Sequence, residues 1–156
     1  MNTQRRTFLR TTAGAGLIAA AAVAGLLKPA RVLAAGWDKA AFEAKGVPEA
    51  LKALGAGAAE PSKQVVIKAP DAAENGAVVP VEVTSQLPNT EAILVLAEKN
   101  TTPLVANFEL ANGAEPYVAT RIKMIQSSAV RAVVRAGGKY YSASKEIRVT
   151  IGGCGG

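Results

Sequence analysis

The chain has 156 residues, enough for one domain of ordinary size, and a formal net charge of +6. Residues 1–34 hold five basic side chains and no acid, leaving 13 basic against 12 acidic residues in the rest. The basicity is therefore no nucleic-acid footprint, and the scarcity of aromatics argues against a base-stacking surface.

Chain chemistry narrows the field further. Histidine is absent, which removes the commonest general base and the commonest metal ligand. A single cysteine, Cys154, excludes an intramolecular disulfide and any multi-thiolate metal site. An enzyme built on this chain would have to run on carboxylates, lysines or one thiol.

The N-terminus reads as an address. A charged leader, an apolar run from Ala13 to Leu27 and small residues at Val32 and Ala34 predict a secretory signal peptide over residues 1–34, cleaved after Ala34 or Ala35. The run is too short and alanine-rich for a comfortable membrane span, which needs about 18 apolar residues. Arg5-Arg6-Thr7-Phe8-Leu9-Arg10 resembles the twin-arginine motif, with Gln4 where Ser or Thr is usual. No cysteine stands at the cleavage site, so no lipid or membrane anchor is expected. Twin-arginine export carries folded proteins, so the domain should fold in the cytoplasm and work in the oxidising periplasm.

Residues 37–54 read as helical, with Asp38 as a cap, Ala41 and Phe42 on an apolar face, and a break at Gly46 and Pro48 before a short turn of helix at Glu49–Leu54. Trp37 and Phe42 would anchor this cap to the body of the domain. From Lys63 onward the pattern turns to short β segments: Gln64–Ala69, Val78–Ser85, Ala92–Glu98, Leu104–Leu110, Tyr117–Met124, Ala129–Ala136, and a last pair at Lys139–Ala143 and Lys145–Ile151. Alternation is clean in Val81-Glu82-Val83 and in Glu146–Ile151. Turn residues punctuate the run at Glu74-Asn75-Gly76, Leu87-Pro88-Asn89, Asn100–Pro103, Asn112-Gly113 and Gly137-Gly138. About seven strands with regular turns predict an immunoglobulin-like antiparallel β-sandwich over residues 35–151, carrying a short N-terminal helical segment and a flexible C-terminal arm at 152–156. Pro80 inside a strand points to an edge or a bulge, where a partner sandwich could dock by sheet contacts.

The tail carries the most specific signal. Cys154 is flanked by Gly152 and Gly153 on one side and Gly155 and Gly156 on the other. Glycine has the largest backbone freedom and nothing to bury, so the arm should be mobile and thin. At roughly 3.3–3.6 Å per residue it would hold the thiol about 10 Å off the domain. The thiol has no histidine to activate it, and the nearby terminal carboxylate disfavours a thiolate. Its reactivity should be ordinary until another protein's active site surrounds it, which is the design of a carrier.

Three segments, Val149–Gly156 (VTIGGCGG), Ala73–Val81 (AENGAVVPV) and Thr120–Met124 (TRIKM), together with the leader, resemble the SoxY family, the sulfur-carrier subunits of the periplasmic thiosulfate-oxidising (Sox) system. The resemblance implies that Cys154 is the covalent attachment point of thiosulfate-derived intermediates, with Gly152, Gly153, Gly155 and Gly156 as the carrier arm. It implies a c-type cytochrome that attaches thiosulfate, a dimanganese hydrolase that releases sulfate, a sulfur dehydrogenase, and a small β-sandwich partner, SoxZ. It implies no resident cofactor and no catalytic site on the carrier itself.

Other features have plainer readings. Arg121 and Lys123 share one face of a strand, where they would be solvated or would meet an acidic partner or anionic substrate. The Gly155-Gly156 ending also suits a thiocarboxylate-type sulfur carrier, although the leader and the strand-rich pattern count against it. The main alternative is a periplasmic assembly domain linked through an intermolecular Cys154 disulfide.

Overall fold

The computed structural model describes residues 38–111 and 113–151, with Ile151 described by its backbone alone. The signal segment, Trp37 and the Gly152–Gly156 arm with Cys154 lie outside the described residues. Among the described residues two short helices, α1 (Lys39–Glu43) and α2 (Val47–Ala53), precede nine strands. The strands are β1 (Glu60–Pro61), β2 (Val65–Lys68), β3 (Ala72–Asn75), β4 (Val79–Ser85), β5 (Thr90–Ala97), β6 (Leu104–Glu109), β7 (Tyr117–Ile122), β8 (Ser128–Ala136) and β9 (Lys139–Ile151).

Asp38 caps α1 as expected, its Oδ1 accepting from the Ala41 amide at 3.1 Å. Pro48 does not break the second helix. It sits in the first turn of α2 behind Gly46 as N-cap, where a missing N–H costs no helical hydrogen bond. The helix therefore starts at Val47 rather than Glu49.

The strands form a β-sandwich. The larger sheet runs β1-β9-β8-β5-β6, with β3 also paired to β9, and the smaller runs β2-β4-β7. Most pairings are antiparallel; the exceptions are β1 and β3, which run parallel to β9. Neither of these short strands is expected from the sequence. The turn signal at Glu74-Asn75-Gly76 overlaps β3, yet the chain is extended through Asn75 and turns only at Gly76. Nor does the chain break into two strands near Ser144. β9 is continuous, because β8 supplies ladder partners from Lys139 through Ile147.

Between the sheets, Val79, Val81, Val83, Ile93, Val95, Val130, Val134 and Ile147 are all fully buried or nearly so. The alternation read in β4 appears as strict inward-outward burial. β5 shows no alternation because both its faces are covered. Ile93 and Val95 enter the sandwich core, while Leu94 and Leu96 face α1 and α2 through Ala41, Ala50 and Leu51. Phe42 packs on this second cluster, as expected of the helical cap. The Tyr140 hydroxyl pins the layer by donating to the Leu54 carbonyl at 2.9 Å.

Two further details correct or confirm the sequence. Pro80 lies in the middle strand of the smaller sheet, not on an outer one. It occupies the part of β4 that β7 reaches and β2 does not, so one side of the strand is open there and no ladder bond is lost. The Gly137-Gly138 turn is a two-residue hairpin loop between Ala136 and Lys139, with φ of 56° and 75°.

Candidate functional site

The site follows from where β9 ends. Past Ile147 the strand leaves β8, and its last residues pair instead with β3: Ala72 with Arg148, Ala73 with Val149, Asn75 with Ile151. Parallel pairing needs the two strands to enter side by side, and two contacts set that entry. The Arg148 amide donates to the Asp71 carbonyl at 3.0 Å. Lys145 Nζ reaches Asp71 Oδ1 at 3.0 Å and the Ala69 carbonyl at 2.6 Å.

The opposite side of the strand is held by one hydroxyl. Ser127 Oγ accepts from the Val149 amide at 2.8 Å and donates to the Val149 carbonyl at 3.3 Å. It supplies the donor and the acceptor that β8 no longer offers.

Beyond Asn75 the chain reverses in an Asx turn, Asn75 Oδ1 accepting from the Ala77 amide at 2.8 Å. The Gly76 carbonyl then accepts from the Met124 amide at 2.7 Å, tying this turn to the smaller sheet. Asn100 completes the end of the sandwich. Its Nδ2 donates to the Lys123 carbonyl at 2.7 Å and its Oδ1 accepts from the Ile125 amide at 3.1 Å. Four connections thus meet where the strand that leads to the Gly-Cys segment finishes.

Two of the three segments singled out in the sequence are therefore neighbours of the third. Ala73–Val81 contains β3, its turn and the start of β4; Thr120–Met124 ends β7 and bonds to Gly76; Val149–Ile151 is the held end of β9. Sequence reading missed the role of β3, since Ala72–Asn75 buries only Ala73 and shows no strand periodicity.

Arg121 on β7 and Lys123 just past its end are both exposed, as expected, and line a cleft of about 390 Å³ between the edges of β6 and β7 with Asn100, Thr102 and Thr120. At the start of the same strand the Tyr117 hydroxyl is held above its ordinary titration range. Partial desolvation is the largest cause, followed by the charge of Glu82 and hydrogen bonding to it. Among the described residues no group of three His, Cys, Asp or Glu side chains could hold a metal ion.

The family model for sulfur oxidation protein SoxY matches residues 51–154, a stretch that reaches Cys154. Among solved structures, the sulfur carrier protein SoxY from Chlorobium limicola f thiosulfatophilum is 38% identical with a TM-score of 0.57, covering 64% of this chain and 93% of that one. The superoxide reductase (neelaredoxin) from Ignicoccus hospitalis also matches, at 20% identity with a TM-score of 0.48, covering 55% of this chain and 80% of that one. No curated protein matches. The chain belongs to the SoxY family of sulfur carrier proteins.

Proposed function

We propose that this protein is a periplasmic carrier, exported folded by the twin-arginine pathway, that holds thiosulfate-derived sulfur covalently on Cys154. The observation that carries the reading is the position of the last anchored rung. Asn75 and Ile151 close the ladder, and the Gly-Gly-Cys-Gly-Gly sequence begins at the next residue. The domain then serves as the handle, and the thiol follows it in sequence among residues that have no side chains to obstruct entry into a narrow active site.

The chemistry belongs to the partners. A c-type cytochrome joins thiosulfate to the thiol: the cysteine S–H and the terminal sulfur of thiosulfate form an S–S bond, one proton leaves, and two electrons pass to haem. The product is a cysteine S-thiosulfonate. A dimanganese hydrolase then adds water across the S–SO₃ bond, releasing sulfate and two protons and leaving a persulfide anion on Cys154. A sulfur dehydrogenase oxidises that sulfane before a further hydrolysis. The chain itself supplies no catalytic group, and its own contribution is tethering, which keeps each intermediate at high effective concentration for the next enzyme. A SoxZ-type β-sandwich subunit completes the working carrier.

Intact-mass analysis of protein taken from cells oxidising thiosulfate tests this reading. Additions of sulfur or of thiosulfonate confined to the C-terminal peptide are expected. A bare thiol or a plain intermolecular disulfide during turnover would point instead to an assembly domain.

A further inference from the structure

β9 is held in two different ways along its length. From Lys139 to Ile147 it has β8 beside it, and Ile147 is fully buried in the sandwich core. Beyond Ile147 it has left β8, and among the described residues only β3 still pairs with it. β3 in turn pairs with no other strand there. Residues 148–151 therefore belong to a two-stranded parallel ribbon at the end of the sheet. A two-stranded ribbon is marginal by itself, and parallel pairs are slightly weaker per residue than antiparallel ones.

The ribbon buries little. Arg148 and Thr150 are exposed and Val149 is half-buried against the core, while on β3 Ala73 is buried and Ala72, Glu74 and Asn75 are exposed. On the β9 side the ladder is supplemented by the exposed Ser127 hydroxyl, which serves Val149, and by the Arg148 amide on the Asp71 carbonyl. β3 is fixed independently of residues 148–151. Lys145, which precedes Ile147, holds its start through Asp71 and the Ala69 carbonyl, and the Gly76 carbonyl ties its end to Met124. The template strand thus keeps its place when the strand laid on it departs.

We propose that residues 148–151 form a releasable strap, which detaches from β3 as one unit back to Ile147 and zips onto it again, giving the tether of Cys154 a short and a long setting. The inference rests on the carrier reading. In sequence Cys154 stands three residues past Ile151 and seven past Ile147. Detachment therefore adds about 13 Å of extended chain to the tether. Local opening selects segments with few buried apolar contacts and solvent-exposed hydrogen bonds, a description that fits 148–151 and stops at the buried Ile147. The short setting keeps a covalent adduct concentrated near the domain. The long one reaches an active site deeper than the short tether spans, at lower effective concentration. No covalent bond changes, and the pre-set β3 restores the short setting.

Hydrogen exchange followed by nuclear magnetic resonance on the mature chain, in denaturant below the unfolding transition, tests the strap directly. The hydrogen-bonded amides of 148–151 are expected to exchange through one common opening, about a hundredfold or more faster than Val133 and Val134 and almost independent of denaturant, with a sharp boundary at Ile147. Exchange that shares the rate and denaturant dependence of the core overturns the proposal. So does a rate that climbs residue by residue toward Ile151, which is end-fraying. A second measurement reads the tether. The initial rate at which the attaching cytochrome loads Cys154 is followed by intact mass in a chain lacking Gly152 and Gly153, with and without Ser127→Ala/Val149→Ala to weaken the ribbon. The weakened chain should load about threefold faster or more. Equal rates in the two shortened chains overturn the two settings. If the double substitution disturbs the core, seen as changed circular dichroism, exchange in the unaltered chain decides alone. If the unaltered chain takes no adduct at all, the carrier reading falls, and exchange still decides whether the strap opens.

Discussion

Asn75 and Ile151 stand opposite each other in a parallel ladder, and they form the last rung before the Gly-Gly-Cys-Gly-Gly sequence. The pairing fixes the end of β9 at the residue before that sequence. It also places the Asx turn of Asn75, and through Gly76 the end of β7, beside that end.

Ser127→Ala should loosen the root while leaving the sandwich intact. One hydroxyl serves both the amide and the carbonyl of Val149 near solvent, so its loss should cost about 0.5–1.5 kcal/mol. Hydrogen exchange should accelerate at Val149 and its β3 neighbours, and should not change at Val133 or Val134 in the core. Uniform acceleration across the sheet would show that Ser127 acts on global stability instead.

Shortening the arm should affect loading and leave folding alone. Removing Gly152 and Gly153 withdraws the thiol by about 7 Å. Intact mass after incubation with thiosulfate and the attaching cytochrome should show adduct yield falling severalfold, with an unchanged melting temperature. Full yield would mean that reach is not what the glycines provide.

Gly138 has φ of 75°, and a Cβ there would meet no atom within 4 Å, so any cost of substitution is backbone strain alone. Gly138→Val should destabilise by roughly 1–2 kcal/mol, and Gly138→Asn by clearly less, because asparagine tolerates the left-handed region. Thermal melts of the two variants check the order. Equal losses would locate the cost elsewhere than φ.

Tyr117 should ionise above the ordinary tyrosine value of about 10. Its phenol is favoured over the phenolate in the fold, so the associated stabilisation is present below the ordinary tyrosine range and is lost as pH rises through the raised value. Glu82→Gln removes the neighbouring charge and should lower the midpoint in ultraviolet titration. A midpoint that stays put would assign the shift to partial desolvation and the charge of Glu115 instead.

Certain properties were decided along the chain itself. The absence of histidine and the single cysteine excluded whole classes of chemistry before any fold was considered. Side-chain alternation announced β4 and the end of β9, and two adjacent glycines announced the hairpin before β9, because burial of one face and access to positive φ are local demands. Cys154 was singled out from its glycine flanks alone, a local feature of the sequence, and it lies outside the described residues.

Tertiary structure decided the rest. β3 has too few buried residues to signal a strand, and it exists because β9, from the far end of the chain, offers it a parallel ladder. β5 lost its alternation because helices from the N-terminal side cover the face that solvent would otherwise wet. Pro80 is tolerated in a middle strand because β2 stops short of it. In each case the deciding partner is remote in sequence. Local dihedral preference and periodicity carry no record of which distant strand will arrive, so the end of the sandwich where β9 finishes could be assembled only by the fold.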